Sequence, residues 1–170
     1  MILLFIIVCF VAFLIAPCQL GWGVSSANLW GAFSYPFMHA NWLHLGINIF
    51  SLLIMYSPIR KIYGMRFNST SSPLFFIPIY LGAVLAGVMT AGDVKTVGAS
   101  GMIFFLLGEL LMLRPTLKQL RNYIYVALSV IISMFYGNSN IKLHIVAFIL
   151  GCLYIIIRIA YDGRRIKYSE

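Results

Sequence analysis

The chain has 170 residues, 62% hydrophobic and 9% charged, with a mean hydropathy of +0.96 and a formal net charge of +8. Such a composition lies far outside that of a soluble globular domain and predicts an integral membrane protein. The basic excess falls in loops between apolar stretches, where membrane topology and lipid headgroups account for it, so no nucleic-acid partner is expected.

Apolar stretches at roughly 1–17, 38–57, 73–91, 100–113, 122–136 and 143–160 approach the ~20 residues that cross a ~30 Å hydrocarbon core. They predict an all-α, polytopic membrane protein, a six-helix bundle forming a single domain over 1–170. The first stretch, Met1 to Pro17, superficially resembles a secretory signal, and Leu14 to Cys18 resembles a lipoprotein cleavage site. It lacks a basic start and places Pro17 directly before Cys18, so it is read as a helix. Cys9, Cys18 and Cys152 are odd in number and unclustered, which fits packing rather than a disulfide framework or a metal site.

Between the first and second spans, Cys18 to Phe37 carries Trp22, Trp30, Phe33, Tyr35 and Phe37 and no charged residue. Amphipathic rings favour the headgroup interface, so this connection is expected to lie there and to form part of the route into a site. Arg60, Lys61 and Arg66 follow the second span, Arg114, Lys118 and Arg121 the fourth, and Arg158, Arg164, Arg165 and Lys167 the sixth. Only Lys95 and Lys142 occupy the opposite loops, which predicts both termini on the cytoplasmic side.

Polar side chains inside such spans point to function, because lipid exacts several kcal/mol for each one left without a partner or a cavity. The fourth span, Ser100 to Arg114, offers about 15 residues, ~22 Å at 1.5 Å each, too short for a full crossing. With Arg114 at the cytoplasmic surface, Ser100 must begin below the opposite surface. The irregular Val97-Gly98-Ala99 is tolerated at that depth only when protein or a wet cavity surrounds it.

A serine is a weak nucleophile and needs a base and oxyanion donors. His144 begins the sixth span on the same side as Ser100, and no acidic residue is placed to orient it, which predicts a Ser100/His144 dyad. His44 and Asn48, four residues apart, share a helical face and, with the Ser100 amide, predict an oxyanion pocket. His39 is about 140° round a continuous helix from His44 and receives a supporting role. No His-Glu-x-x-His occurs and no carboxylate joins the histidines, so neither a metal nor a cofactor is expected.

His39-x4-His44-x3-Asn48, Gly98-x-Ser100-Gly101 and the downstream His144, in a six-span chain, resemble the rhomboid family of intramembrane serine proteases. The resemblance covers nearly the whole chain. It implies Ser100 as nucleophile, His144 as base, an oxyanion hole lined by His44, Asn48 and the Ser100 backbone, and supporting positions at His39, Gly98, Gly101 and Phe104. It also implies that transmembrane protein substrates meet the enzyme within the lipid bilayer, with the fifth span, Tyr123 to Tyr136, and the Gly137 to Asn140 turn as lateral entrance and cap. Three positions depart from the family pattern: Gly31 stands after Trp30 where arginine is frequent, Ala147 where glycine is usual, and Phe104 where many members have tyrosine. Ala147-x3-Gly151 still provides small residues for close helix packing.

Taken singly, each motif has a plainer reading, as a small-residue helix contact or a buried hydrogen-bond network; together, in order and on one side, they favour catalysis. An inactive rhomboid-like protein that binds membrane segments is the alternative, and a transporter is disfavoured by the lack of an inverted repeat. Ala91-Gly92-Asp93 and Tyr161-Asp162 loosely resemble aspartyl intramembrane protease signatures, but the charge pattern puts the two carboxylates on opposite sides. Glu109 is expected to snorkel or pair near Arg114. The lack of an appended soluble domain suggests a minimal enzyme of a prokaryotic inner membrane.

Overall fold

The computed structural model describes residues 2–15, 19–67, 73–113, 124, 128 and 140–167. Its helices are α1 (Ile2–Ile15), a short α2 (Gly31–Ser34), α3 (Trp42–Phe67), α4 (Pro73–Met89), α5 (Ser100–Leu113) and α6 (Ile141–Lys167), with 3-10 turns at Gln19–Trp22 and Tyr35–Phe37. Among the described residues there is no strand, only isolated bridges between Val24 and Thr96 and between Ser25 and Asn28. The protein is all-α. Of the fifth predicted span, 122–136, Ile124 and Leu128 are described, both helical and outward-facing. The rest of that span, the turn at 137–139, Arg114 and Cys18 lie outside the described residues.

Apolar composition appears on both sides of these helices. α1 buries only Phe5 and Cys9 and exposes Leu3, Leu4, Ile7, Val8, Phe10, Val11 and Leu14. α4 presents Leu81, Leu85 and Val88 outward, and α6 presents Ile145, Ile149, Leu153 and Ile156. A water-facing surface would place charge at such positions; an apolar exterior is the mark of a bundle solvated by lipid. Trp42–Lys61 and Ile141–Tyr161 are long and apolar enough to cross a membrane by themselves, while the apolar parts of α1, α4 and α5 are shorter.

α5 is the central element, as expected for a helix apolar all round. Nine of its 14 residues are buried: Gly101, Met102, Ile103, Phe105, Leu106, Gly108, Glu109, Leu110 and Leu113. It packs on α3 and α4 and most closely on α6, where glycines let two backbones meet. A Cβ on Gly108 would strike the Phe148 carbonyl, and one on Gly151 the Phe105 carbonyl. Ala147 is fully buried beside them. At this seam the Cys152 thiol donates to the Gly108 carbonyl at 3.5 Å. Small side chains thus permit the dispersion contacts that drive association where lipid removes any hydrophobic advantage.

Three local departures from the sequence reading matter for the site. The second predicted span is α3 and starts at Trp42 rather than 38, because Asn41 caps it: the Asn41 Oδ1 accepts the His44 N–H at 2.8 Å. His39 therefore lies before the helix, and the 140° argument does not apply to it. Tyr35, expected at the interface, is instead fully buried, since the 3-10 turn at Tyr35–Phe37 rotates it inward to donate to the Ala83 carbonyl at 2.7 Å. Glu109 is 1% exposed, so it lies inside the bundle rather than snorkelling to the surface, and Arg114, its other expected partner, lies outside the described residues. The second and sixth helices also run on through their basic ends, to Phe67 and Lys167.

Candidate active site

The loop that precedes Ser100 is irregular and buried: Val97 is 9% and Ala99 2% exposed. Its backbone groups are satisfied by the first connection and by His39. Gly98 N–H donates to the Tyr35 carbonyl at 2.8 Å, and Ala99 N–H donates to His39 Nε2 at 3.4 Å. The His39 Nδ1–H in turn donates to the Phe37 carbonyl at 3.3 Å, a pair of bonds that together fix one tautomer. His39, fully buried, is thus a clip between the first connection and the serine loop.

Gly98 has φ +117°, a conformation that L side chains rarely adopt. A Cβ there would also approach His44 Cε1 and Nε2 to 2.7 Å and Asn48 Nδ2 to 3.0 Å. The loop consequently lies flat against the α3 face that carries both residues. His44 Nδ1 accepts the Ala40 N–H at 3.5 Å, which leaves its proton on Nε2, the atom turned toward Gly98. Asn48 is 4% exposed and its Nδ2 is a buried donor with no hydrogen-bond partner among the described residues. Ser100 opens α5, so its amide is among the helix N–H groups that the i−4 ladder does not use.

His144, 6% exposed, sits in the first turn of α6 with Nε2 3.0 Å from Ser100 Oγ. In the tautomer protonated on Nδ1, the serine hydroxyl donates to Nε2. Among the described residues the buried Nδ1 has no partner, so none of their carboxylates or carbonyls orients the ring through it. Orientation comes instead from Phe104, whose ring stacks on the imidazole at 4.4 Å with planes 13° apart. Gly101 lies against Leu143 and the Tyr35 hydroxyl, where any side chain would collide.

His44 lies against Gly98, two residues before Ser100, and Ser100 meets His144, so α3, α5 and α6 all begin at the same end of the bundle. Three helix N-termini converge there, and their partial positive charge favours an oxyanion. Among the described residues no group of three or more His, Cys, Asp or Glu could hold a metal ion.

A family model for the rhomboid domain matches residues 26–161. The chain belongs to the rhomboid family. No curated protein and no solved structure matched it. Rhomboid domains are helical membrane bundles whose members are mostly serine intramembrane proteases, with some inactive homologues, and this chain is accordingly an integral membrane protein.

The structure brings together Ser100, His144, His44, Asn48, Gly98, Gly101, Phe104 and His39, contributed by three helices and two loops of this rhomboid. Sequence reasoning did not single out Asn41 or Thr96, and it gave Tyr35 to the interface and Asn140 to a turn. Asn140 carried a legible signal, an asparagine directly before an apolar periodic run, which marks a helix N-cap as well as a turn.

Proposed function

We propose that this rhomboid is an active intramembrane serine endopeptidase that hydrolyses peptide bonds in or near transmembrane segments of other proteins through Ser100 and His144. The observation that carries the reading is the 3.0 Å contact between a hydroxyl and an imidazole from separate helices, 44 residues apart in sequence. His144 Nε2 takes the proton of Ser100 as Oγ attacks the scissile carbonyl. The resulting oxyanion accepts hydrogen bonds from the His44 Nε2–H, the Asn48 amide and the Ser100 N–H. The imidazolium, stacked on Phe104, then protonates the leaving amine, and water hydrolyses the acyl-enzyme. His39, Gly98 and Gly101 hold the serine loop.

In this reading residues 1–170 form one domain of six spans in a prokaryotic cell membrane, both termini cytoplasmic, with the dyad below the opposite face. A helical substrate hides its carbonyls, so segments rich in Gly, Ala or helix breakers near that face are the favoured substrates. No metal or cofactor takes part.

The test uses the purified protein in detergent with a fluorophosphonate probe and a transmembrane-segment substrate. Labelling and cleavage in the wild type, both abolished by Ser100→Ala and by His144→Ala with unchanged helicity, are expected. Retained turnover in either variant would reject the dyad. An unlabelled wild type that still binds the segment would identify an inactive membrane-segment-binding homologue.

A further inference from the structure

Four residues before each member of the dyad stands a polar residue, and these two also meet. Asn140 Nδ2 donates to Thr96 Oγ1 at 3.1 Å, and more weakly to the Thr90 carbonyl at 3.4 Å. The contact has the same 44-residue separation as that between Ser100 and His144. Both partners are themselves held. Thr96, 7% exposed, exchanges two backbone hydrogen bonds with Val24, N–H to carbonyl at 2.9 and 3.0 Å. Asn140 caps α6: its Oδ1 accepts the Leu143 N–H at 3.1 Å, and its carbonyl accepts the His144 N–H at 3.2 Å.

Deeper in the bundle, Gly108 and Gly151 lock α5 against α6 through backbone contact. That seam sets the distance between the helices. At the Ser100 end, the Thr96–Asn140 bond opposes sliding, because it ties the loop feeding α5 to the cap of α6. A cavity of about 470 Å³ opens beside it, lined by Thr90, Asp93, Thr96, Asn140 and Lys142, so water reaches the bond's flank and competes with it.

We propose that Thr96 and Asn140 are a positioning pair whose hydrogen bond sets the height of the first turn of α6 against the serine loop, and through it the Ser100–His144 contact. The inference rests on the reading of those two residues as nucleophile and base. Reacting groups must be held within about 0.5 Å for efficient chemistry, and a single bond at the end of a helix acts on that scale.

The experiment compares wild type, Thr96→Val and Thr96→Ser as full chains in detergent. Valine keeps the shape, the Val24 backbone pair and the Asn140 side chain, and replaces the hydroxyl that accepts from Asn140 with a methyl group. The readouts are the rate of Ser100 phosphonylation by a fluorophosphonate, kcat and KM on a transmembrane-segment substrate, the unfolding temperature, and hydrogen exchange of the Leu143 and His144 amides. Thr96→Val is expected to slow phosphonylation and kcat about three- to tenfold, the range of one modest hydrogen bond. KM should stay within about twofold and the unfolding temperature within about 2 °C. Exchange at the two amides should accelerate, and Thr96→Ser should restore all readouts. Wild-type rates in Thr96→Val, losses that merely track a lowered unfolding temperature, or no recovery in Thr96→Ser would each overturn the proposal. A wild type that does not label at all is the failure of the dyad itself, and the exchange measurement then decides the positioning pair alone.

Discussion

Replacing Asn48 with leucine should push stability and activity in opposite directions. Its Nδ2 is buried, at a residue 4% exposed, and has no hydrogen-bond partner. An unpartnered buried donor costs about 1–3 kcal/mol, and exchanging it for an apolar group of similar shape is nearly neutral or stabilising. The resting protein therefore loses nothing with Asn48→Leu and gains up to about 1 kcal/mol. The transition state is different, since the amide stands 3.0 Å from a Cβ position on Gly98, two residues before the proposed nucleophile. Removing one preorganised oxyanion donor lowers kcat about 10²–10³-fold, or about 2.7–4 kcal/mol. Thermal unfolding in detergent and steady-state cleavage of a transmembrane-segment substrate read the two effects separately. Asn48→Leu should unfold at or above the wild-type temperature with KM little changed and kcat down at least a hundredfold. A kcat within threefold of wild type would refute the oxyanion role, and a large stability loss would refute the orphan-donor account of the resting site.

Gly98→Ala meets both a positive φ and a collision with His44 and Asn48, so it should cost about 1–3 kcal/mol of stability and nearly all turnover, measured by unfolding and cleavage together. Phe104→Ala removes the ring stacked on His144; an aromatic contact of about 0.5–1.5 kcal/mol predicts a two- to tenfold fall in kcat, and Phe104→Tyr, which keeps the stack, should retain wild-type kcat within twofold. Gly151→Leu forces α6 away from the Phe105 backbone and should lower the unfolding temperature far more than the same change at Gly46, where a Cβ meets nothing within 4 Å.

Much of this architecture is written locally. Lipid solvation demands long apolar runs, so the helices announce themselves in the sequence, and α5 spans Ser100–Leu113 as its pattern predicts. The polar residues are legible for the same reason: a histidine, asparagine or serine in such a run is costly enough to need a cause, and Ser100, His44, Asn48 and His144 stand out before any coordinates. Helix starts were less legible, since a cap is a side-chain contact and a propensity window does not see it. Asn41 moves the start of α3 to Trp42 and so takes His39 off the helix, where it clips Ala99 instead.

Composition and motif order alone determined a helical membrane protein and singled out the residues of its proposed site, because burial in lipid constrains single positions strongly and independently. Only the tertiary structure decided which atoms face one another: the tautomers of His39 and His44, the inward turn of Tyr35, the stacking of Phe104 on an imidazole that lacks a third partner, and the Thr96–Asn140 bond. Each depends on the relative height and rotation of elements distant in sequence. Glycine-mediated backbone contact sets the spacing of α5 and α6 and contacts such as the Thr96–Asn140 bond bear on their register, pairwise properties that no single stretch of sequence contains.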